Sequence, residues 1–358
     1  MSHHERLDLS GLLTPVDQEF ITTASSTARY FREFNPPPPH RAPEVAAERL
    51  ASGAALAVEE ETTTAADRNL GTDLAGMIAR AHTHVNTSWD FNGNGSNGNG
   101  AGGGNANILT DAEHGHNDEP MVDLAFTNGA AVGSGLAAFN IGGVRVRVHG
   151  GAQDGVGKCA LGGEIQVLKA RNSAGQWVGG HVGKSFAYGA QRGRFFVQGD
   201  ADARAGIRLS GADMVIGGEP DQPLDDRRGS LAVYANCKGF AFEYMTGGRA
   251  VVLGDPGPWI CSGMTGGVIF VRQNPEWNLD ETAIRRRLSK AAKVSIARLE
   301  DVDVAQVVEL LEPYRVALFE SGQDEEADRV ATLIQDPASH FLMLVPVTQQ
   351  ADPNISTE

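Results

Sequence analysis

Paired cysteines are absent from this sequence. Cys159, Cys237 and Cys261 are odd in number, far apart and without a CxxC spacing, which excludes a disulfide framework and a self-contained zinc or cubane iron–sulfur site. Long apolar runs are absent too. Nothing approaches the ~20 residues of a membrane span. No apolar stretch follows Met1-Ser2-His3-His4-Glu5-Arg6, so no secretory signal is expected and the expected compartment is the cytoplasm. Basic charge is scarce: 30 Lys and Arg stand against 45 Asp and Glu, a formal charge of −15. A binder of phosphate backbones would show the opposite field, so nucleic acid is not an expected partner. Aromatics make up only 6% of the 358 residues, a length that buries a sizeable core without cross-links.

Glycine is in excess: 44 residues of 358, against a usual share of roughly 7%. It falls into two populations. Asn92–Asn107 reads NGNGSNGNGAGGGNAN, a linker composition with nothing to bury. Between Gly129 and Gly267 the glycines precede apolar runs instead: VRVRV after Gly143, EIQVL after Gly163, RFFV after Gly193, ADMVI after Gly211, RAVVL after Gly248 and VIFV after Gly267. The spacing is near 19 residues, lengthened once by RNSAGQWVGG and once by a stretch containing Gly229-Ser230-Leu231. Such a period marks stacked supersecondary units. Short, alternating, β-branched runs turned by glycine suit a right-handed parallel β-helix, whose corners need residues at ease with positive φ. An antiparallel sandwich is the competing reading, but it prefers Asn-Gly hairpins, and that dipeptide clusters outside this region.

The expected organisation runs as follows: an extended tail over 1–66 with the polyproline spacer Pro36–Pro39, a helical lead-in over 67–91, and the linker over 92–120. A mainly β region follows over 121–275, then a helical region with a terminal strand over 276–346, and a tail over 347–358. Helices are expected at Leu279–Ala292, Asp303–Phe319 and Gln323–Ile334, with a strand at Phe341–Val345.

No residues assemble into a catalytic set, so no catalytic, cofactor-binding or metal site is assigned to this chain. Gly155-Val156-Gly157-Lys158-Cys159-Ala160 fits a dinucleotide fingerprint on paper, but Leu161-Gly162-Gly163 and a strand follow where a helix should open. Gly183-Lys184-Ser185 fails as a phosphate loop because Val178 stands where the first glycine belongs. Asp111, Glu113, His114, His116, Asp118 and Glu119 form one dense group of ligand types beside the linker, and read as a solvated loop. Asn86-Thr87-Ser88 is a glycosylation sequon without a secretory route. Cys261 reads as a packed small residue rather than a reactive thiol. Phe240, Phe242, Tyr244 and Met245 read as core stacking. Ser2 leaves no N-terminal cysteine nucleophile.

Several strings resemble a known family. Asp154–Ile165, which carries Gly155, Gly157, Lys158, Gly162 and Gly163, is similar to the GXGXG region of the glutamate synthase large (alpha) subunit. So are Arg208–Ala212 with Gly211, Glu243–Gly254 with Tyr244, Met245, Thr246, Gly247 and Gly248, and Gly263–Gly267 with Gly266 and Gly267. The likeness begins near Asp67-Arg68-Asn69-Leu70-Gly71 and runs to Phe341–Pro346, interrupted by the Gly/Asn insert. Phe242 departs from the family's usual cysteine, and Asp221–Tyr234 looks like an added loop.

The resemblance implies a parallel β-helix of GXGXG type without chemistry of its own, the named residues being structural. It implies a separated scaffold subunit packed against a class II glutamine amidotransferase-like glutaminase subunit and an FMN-dependent synthase subunit. FMN and a 3Fe–4S cluster would reside in that partner. Ammonia released by the one would form glutamate, or an N-substituted glutamate, at the other. Two alternatives remain at this point: a β-helix subunit of a formylmethanofuran dehydrogenase-like or formyltransferase/hydrolase complex, and a free-standing β-helix binding module.

Overall fold

The computed structural model describes residues 56–60, 70–72, 122–226 and 234–347. The Gly/Asn linker, the 111–119 ligand-type group, the Asn86 sequon, Pro36–Pro39 and the tail beyond 347 lie outside the described residues.

Eleven strands build one mixed sheet in the order β1-β2-β3-β4-β6-β7-β8-β9-β11-β10, with β5 paired to β4 off this path. They are β1 (Leu56–Glu60), β2 (Val122–Val132), β3 (Val144–Ala152), β4 (Leu161–Arg171), β5 (Trp177–Gly179), β6 (Arg192–Val197), β7 (Ser210–Ile216), β8 (Thr246–Val252), β9 (Gly266–Arg272), β10 (Val294–Arg298) and β11 (Phe341–Pro346). Four helices follow β9: α1 (Glu281–Arg287), α2 (Asp301–Glu320), α3 (Asp324–Gln335) and α4 (Pro337–His340). All six glycine-led runs are strands. The insertion RNSAGQWVGG is a short hairpin in which β5 lies antiparallel to the end of β4.

The expected right-handed parallel β-helix is corrected by this topology. The strands lie in a single open sheet of mixed direction: apart from β5, β1 to β9 pair in parallel, while β11 enters antiparallel to β9 and β10 antiparallel to β11. The physical reason is visible in the burial. From β4 onward the strands bury side chains on both faces, the habit of a sheet with helices laid against it. Phe195, Met214, Ala250 and Ile269 enter the larger core between the sheet and its linking turns. Their chain neighbours Phe196, Val215, Val251 and Phe270 enter a second core with Leu310, Leu311, Tyr314 and Leu318 of α2 and Val330 of α3. Runs such as FFV and MVI therefore record two-sided burial.

The helices have local causes. The Asp280 carboxylate accepts from Ala283 N at 2.8 Å and starts α1, whose last turn carries Arg285–Arg287 at the favourable end of its dipole. α1 is shorter than the expected Leu279–Ala292, because Val294–Arg298 leaves as β10 to pair with β11. The sequence reading missed that strand. Glu300 N donates to the Asp303 carboxylate at 2.9 Å at the start of α2, and Gly322, at φ +78°, follows its end.

Candidate functional site

The linking turns repeat a conformation more faithfully than they repeat a sequence. Six of them place residues in the left-handed region at alternate positions: 135-137-139, 155-157-159, 185-187-189, 204-206-208, 240-242-244 and 259-261-263. Only six of these eighteen residues are glycine. Each remaining one bears a strain of about 1–2 kcal/mol.

Hydrogen bonds between turns explain the alternation. In the first five turns the first and third left-handed residues donate to the following turn, as Gly155 N to Lys184 O at 2.8 Å and Cys159 N to Tyr188 O at 2.7 Å. The middle one donates to the preceding turn, as Gly157 N to Leu136 O at 2.9 Å. Flipping alternate residues points successive amides in opposite directions along the stack, toward acceptors on the turns to either side. The middle residues Ala137, Gly157, Ala187, Gly206, Phe242 and Cys261 face the larger core. The first and third face outward.

Gly155 and Gly157 thus sit in one turn with Lys158, whose Nζ lies 5.4 Å from the Tyr188 ring centre. The dinucleotide-like string is this turn, and strand β4 follows it directly. Gly162 and Gly163 fall in the first residues of β4, Gly211 in β7, Thr246, Gly247 and Gly248 at the start of β8, and Gly266 and Gly267 at the start of β9. Here the pairing register slips, between Leu161 and Glu164, Ser210 and Asp213, and Thr246 and Arg249. Neighbouring backbones press together at these places: a Cβ on Gly162 would lie 2.6 Å from Gly142 N, and one on Gly247 2.6 Å from Ser210 O. Met245 and Phe242 are fully buried, as expected of core residues. Phe240 and Tyr244 are not: the turn aims them at solvent, with Tyr244 51% exposed.

Two polar arrangements escaped the sequence reading. The first is a ladder of alternating charge across six parallel strands, pairing Asp123 with Arg145, Arg145 with Glu164, Glu164 with Arg194, Arg194 with Asp213 and Asp213 with Arg249 in register. Arg194 Nε donates to Glu164 at 2.7 Å, and Arg249 holds Asp213 through two bonds and reaches Glu309 of α2 at 2.7 Å. A signal was present, since Glu164, Arg194 and Arg249 each directly follow a glycine of the repeat.

The second is a buried relay. Asn236 Nδ2 donates to Asp200 at 2.7 Å, Asp255 N donates to Asn236 Oδ1 at 2.8 Å, and Asp255 is held by Arg287, which also grips Asp226 through two bonds of 3.0 Å. Burial alone would raise the Asp226 carboxyl. The hydrogen bonds from Arg287 and Arg286 outweigh it and hold the group below its ordinary 3.8.

Burial pushes the Cys261 thiol up to about 12, and burial followed by the nearby Asp255 and Asp200 carboxylates raises Cys237 further. Among the described residues no three of His, Cys, Asp or Glu come together as metal ligands. No helix there is long and apolar enough to cross a membrane.

The turns and glycine-led strands match a known pattern over most of the chain. The GXGXG motif family matches residues 105–225 and again residues 226–347. The chain belongs to the GXGXG motif family. The GXGXG chain is 35% identical over 176 residues, 47% of its length, to the ferredoxin-dependent glutamate synthase of Cyanidium caldarium, of which it covers 10%. Over 221 residues, 58% of its length, it is 29% identical to the chloroplastic ferredoxin-dependent glutamate synthase 2 of Arabidopsis thaliana, covering 12% of that protein. Over 230 residues, 64% of its length, it is 28% identical to the NADPH glutamate synthase large chain of Bacillus subtilis, covering 13%. It is a glutamate-synthase-related GXGXG domain that spans about a tenth of these relatives' length.

Proposed function

We propose that this chain is the non-catalytic scaffold subunit of a glutamate-synthase-like amidotransferase/oxidoreductase. It packs against a class II glutaminase-like subunit and an FMN/iron–sulfur synthase subunit. Ammonia from the first then reaches the second and forms glutamate or an N-substituted glutamate. The observation that carries this reading is that relatives roughly five times longer are named glutamate synthases and match about half of this chain or more.

The interior supports it physically. The stacked turns satisfy their own amides, the strand-start glycines let backbones close together, and the buried Arg287 cross-ties three segments. Each device stiffens the chain, and a stiff body holds two catalytic domains at a fixed separation.

Co-expression with the glutaminase-like and flavin-domain polypeptides of the same source tests it. A stoichiometric complex is expected, with glutamine-dependent synthase activity that is lost when this chain is left out. Full activity from the two other polypeptides alone would refute the scaffold role.

A further inference from the structure

The twelve outward residues of the six turns have an unusual composition. Phe139, Phe240, Tyr244 and Trp259 are aromatic, Arg204 and Arg208 are cationic, and none is acidic. Yet acidic residues number 45 in the chain and aromatics only 6%.

All six large side chains sit at φ between +55° and +67°, where glycine would be unstrained. They add little to the core: Phe139, Tyr244 and Trp259 are more than half exposed, Phe240 is 39% exposed, and both arginines are exposed. Strain kept at the surface without a return in packing points to a use outside the fold.

The rings and cations are arranged together. Phe240 stacks on Trp259 with ring centres 5.0 Å apart, and the Arg208 guanidinium lies 6.0 Å from the Tyr244 ring centre. Among the described residues no carboxylate pairs with Arg204, Arg208 or the adjoining Lys158. Glu243, the acid on this face, pairs with neither arginine, and Asp154 and Asp202 at the turn entries accept from backbone amides. Aromatic residues and arginine dominate the binding energy of protein interfaces. Unpaired cations on a body of charge −15 select a surface of opposite sign.

We infer that this turn face is the docking surface for a catalytic polypeptide of the assembly, which meets it with carboxylates around an apolar patch. The inference rests on the assembly reading above and adds where the partner binds and by what chemistry.

The test uses the full chain and, as probes, the purified glutaminase-like and flavin-domain polypeptides. Three variants, Arg208→Gly, Tyr244→Gly and Trp259→Gly, relieve strain as they remove the contact. Each is expected to melt no lower than the wild type and to bind one of the two polypeptides at least tenfold more weakly. The double reversal Arg204→Glu/Arg208→Glu is expected to flatten the salt dependence of that binding. Variants that bind both polypeptides as wild type does would overturn the docking face and leave the assembly reading intact. A wild-type chain that binds neither would overturn both. Poly(U) RNA is the control: binding that these variants abolish, with polypeptide binding intact, assigns the face to nucleic acid and overturns the inference.

Discussion

Arg287 and Asp255 meet fork to fork inside the protein, Nε to Oδ1 at 2.5 Å and Nη2 to Oδ2 at 2.8 Å, each side chain 1% exposed. The pair ties α1 to the loop after β8, and Asp226 closes the other edge of the guanidinium. Arg287→Met leaves Asp255 enclosed without a counter-ion, and the expected loss is about 3–5 kcal/mol. Urea unfolding of Arg287→Met and of Arg287→Met/Asp255→Leu measures it. The double variant recovers part of the loss if the stranded charge is the cause.

Asp226 supplies the acid dependence of this latch. Its carboxyl titrates lower in the folded chain than its ordinary 3.8, so its stabilisation is complete above about pH 4 and is lost as pH falls through the depressed value. Asp226→Asn should lower stability at pH 7 and flatten the stability–pH curve below pH ~4. An unchanged acid limb would show that other carboxylates govern it.

Gly206 and Gly155 separate the two demands on the turn glycines. Both have positive φ, but a Cβ on Gly206 would lie 2.6 Å from Phe242 Cδ1, whereas on Gly155 the nearest atom is 3.9 Å away. Gly155→Ala is expected to cost about 1–2 kcal/mol, the left-handed strain alone. Gly206→Ala adds overpacking, for a total of about 2–5 kcal/mol. In a Phe242→Ala background the overpacking disappears, so a double-mutant cycle should show coupling at 206 and none at 155.

Breaking the charge ladder at its centre takes one carboxylate from between two cations. Glu164→Gln removes a charge partner shared by Arg145 and Arg194, and the expected loss is about 1–2 kcal/mol, smaller at high salt. Guanidinium chloride would mask this difference by screening. Urea at two ionic strengths reveals it.

Thiol titration with Ellman's reagent near pH 8 should modify Cys159 alone in the native chain. Cys237 and Cys261 are enclosed and protonated, so they should react only on unfolding. Fast native reaction at three thiols would contradict the burial.

Much of this protein was legible in the order of its residues. The six glycine-led runs are strands, and the glycines lie where a turn must go left-handed or two backbones must touch, because no other residue meets both demands without strain. The near-19-residue period located the turns, and the 3.6-residue spacing of apolar positions located α2 and α3. What the period did not fix was whether an apolar run is buried on one face or two. Phe195-Phe196-Val197 reads alike in either case, and α2 lies more than a hundred residues away, at Asp301–Glu320. Only its packing against Phe196, Val215 and Val251 makes the sheet two-sided. The outward face was equally hidden: Phe240 and Tyr244 look like core residues by hydrophobicity, and their places on either side of the inward Phe242 in the turn aim them at solvent. Glycine spacing in the sequence sets where the chain bends. Folding sets which side of each bend faces solvent, because that depends on hydrogen bonds to the turns above and below.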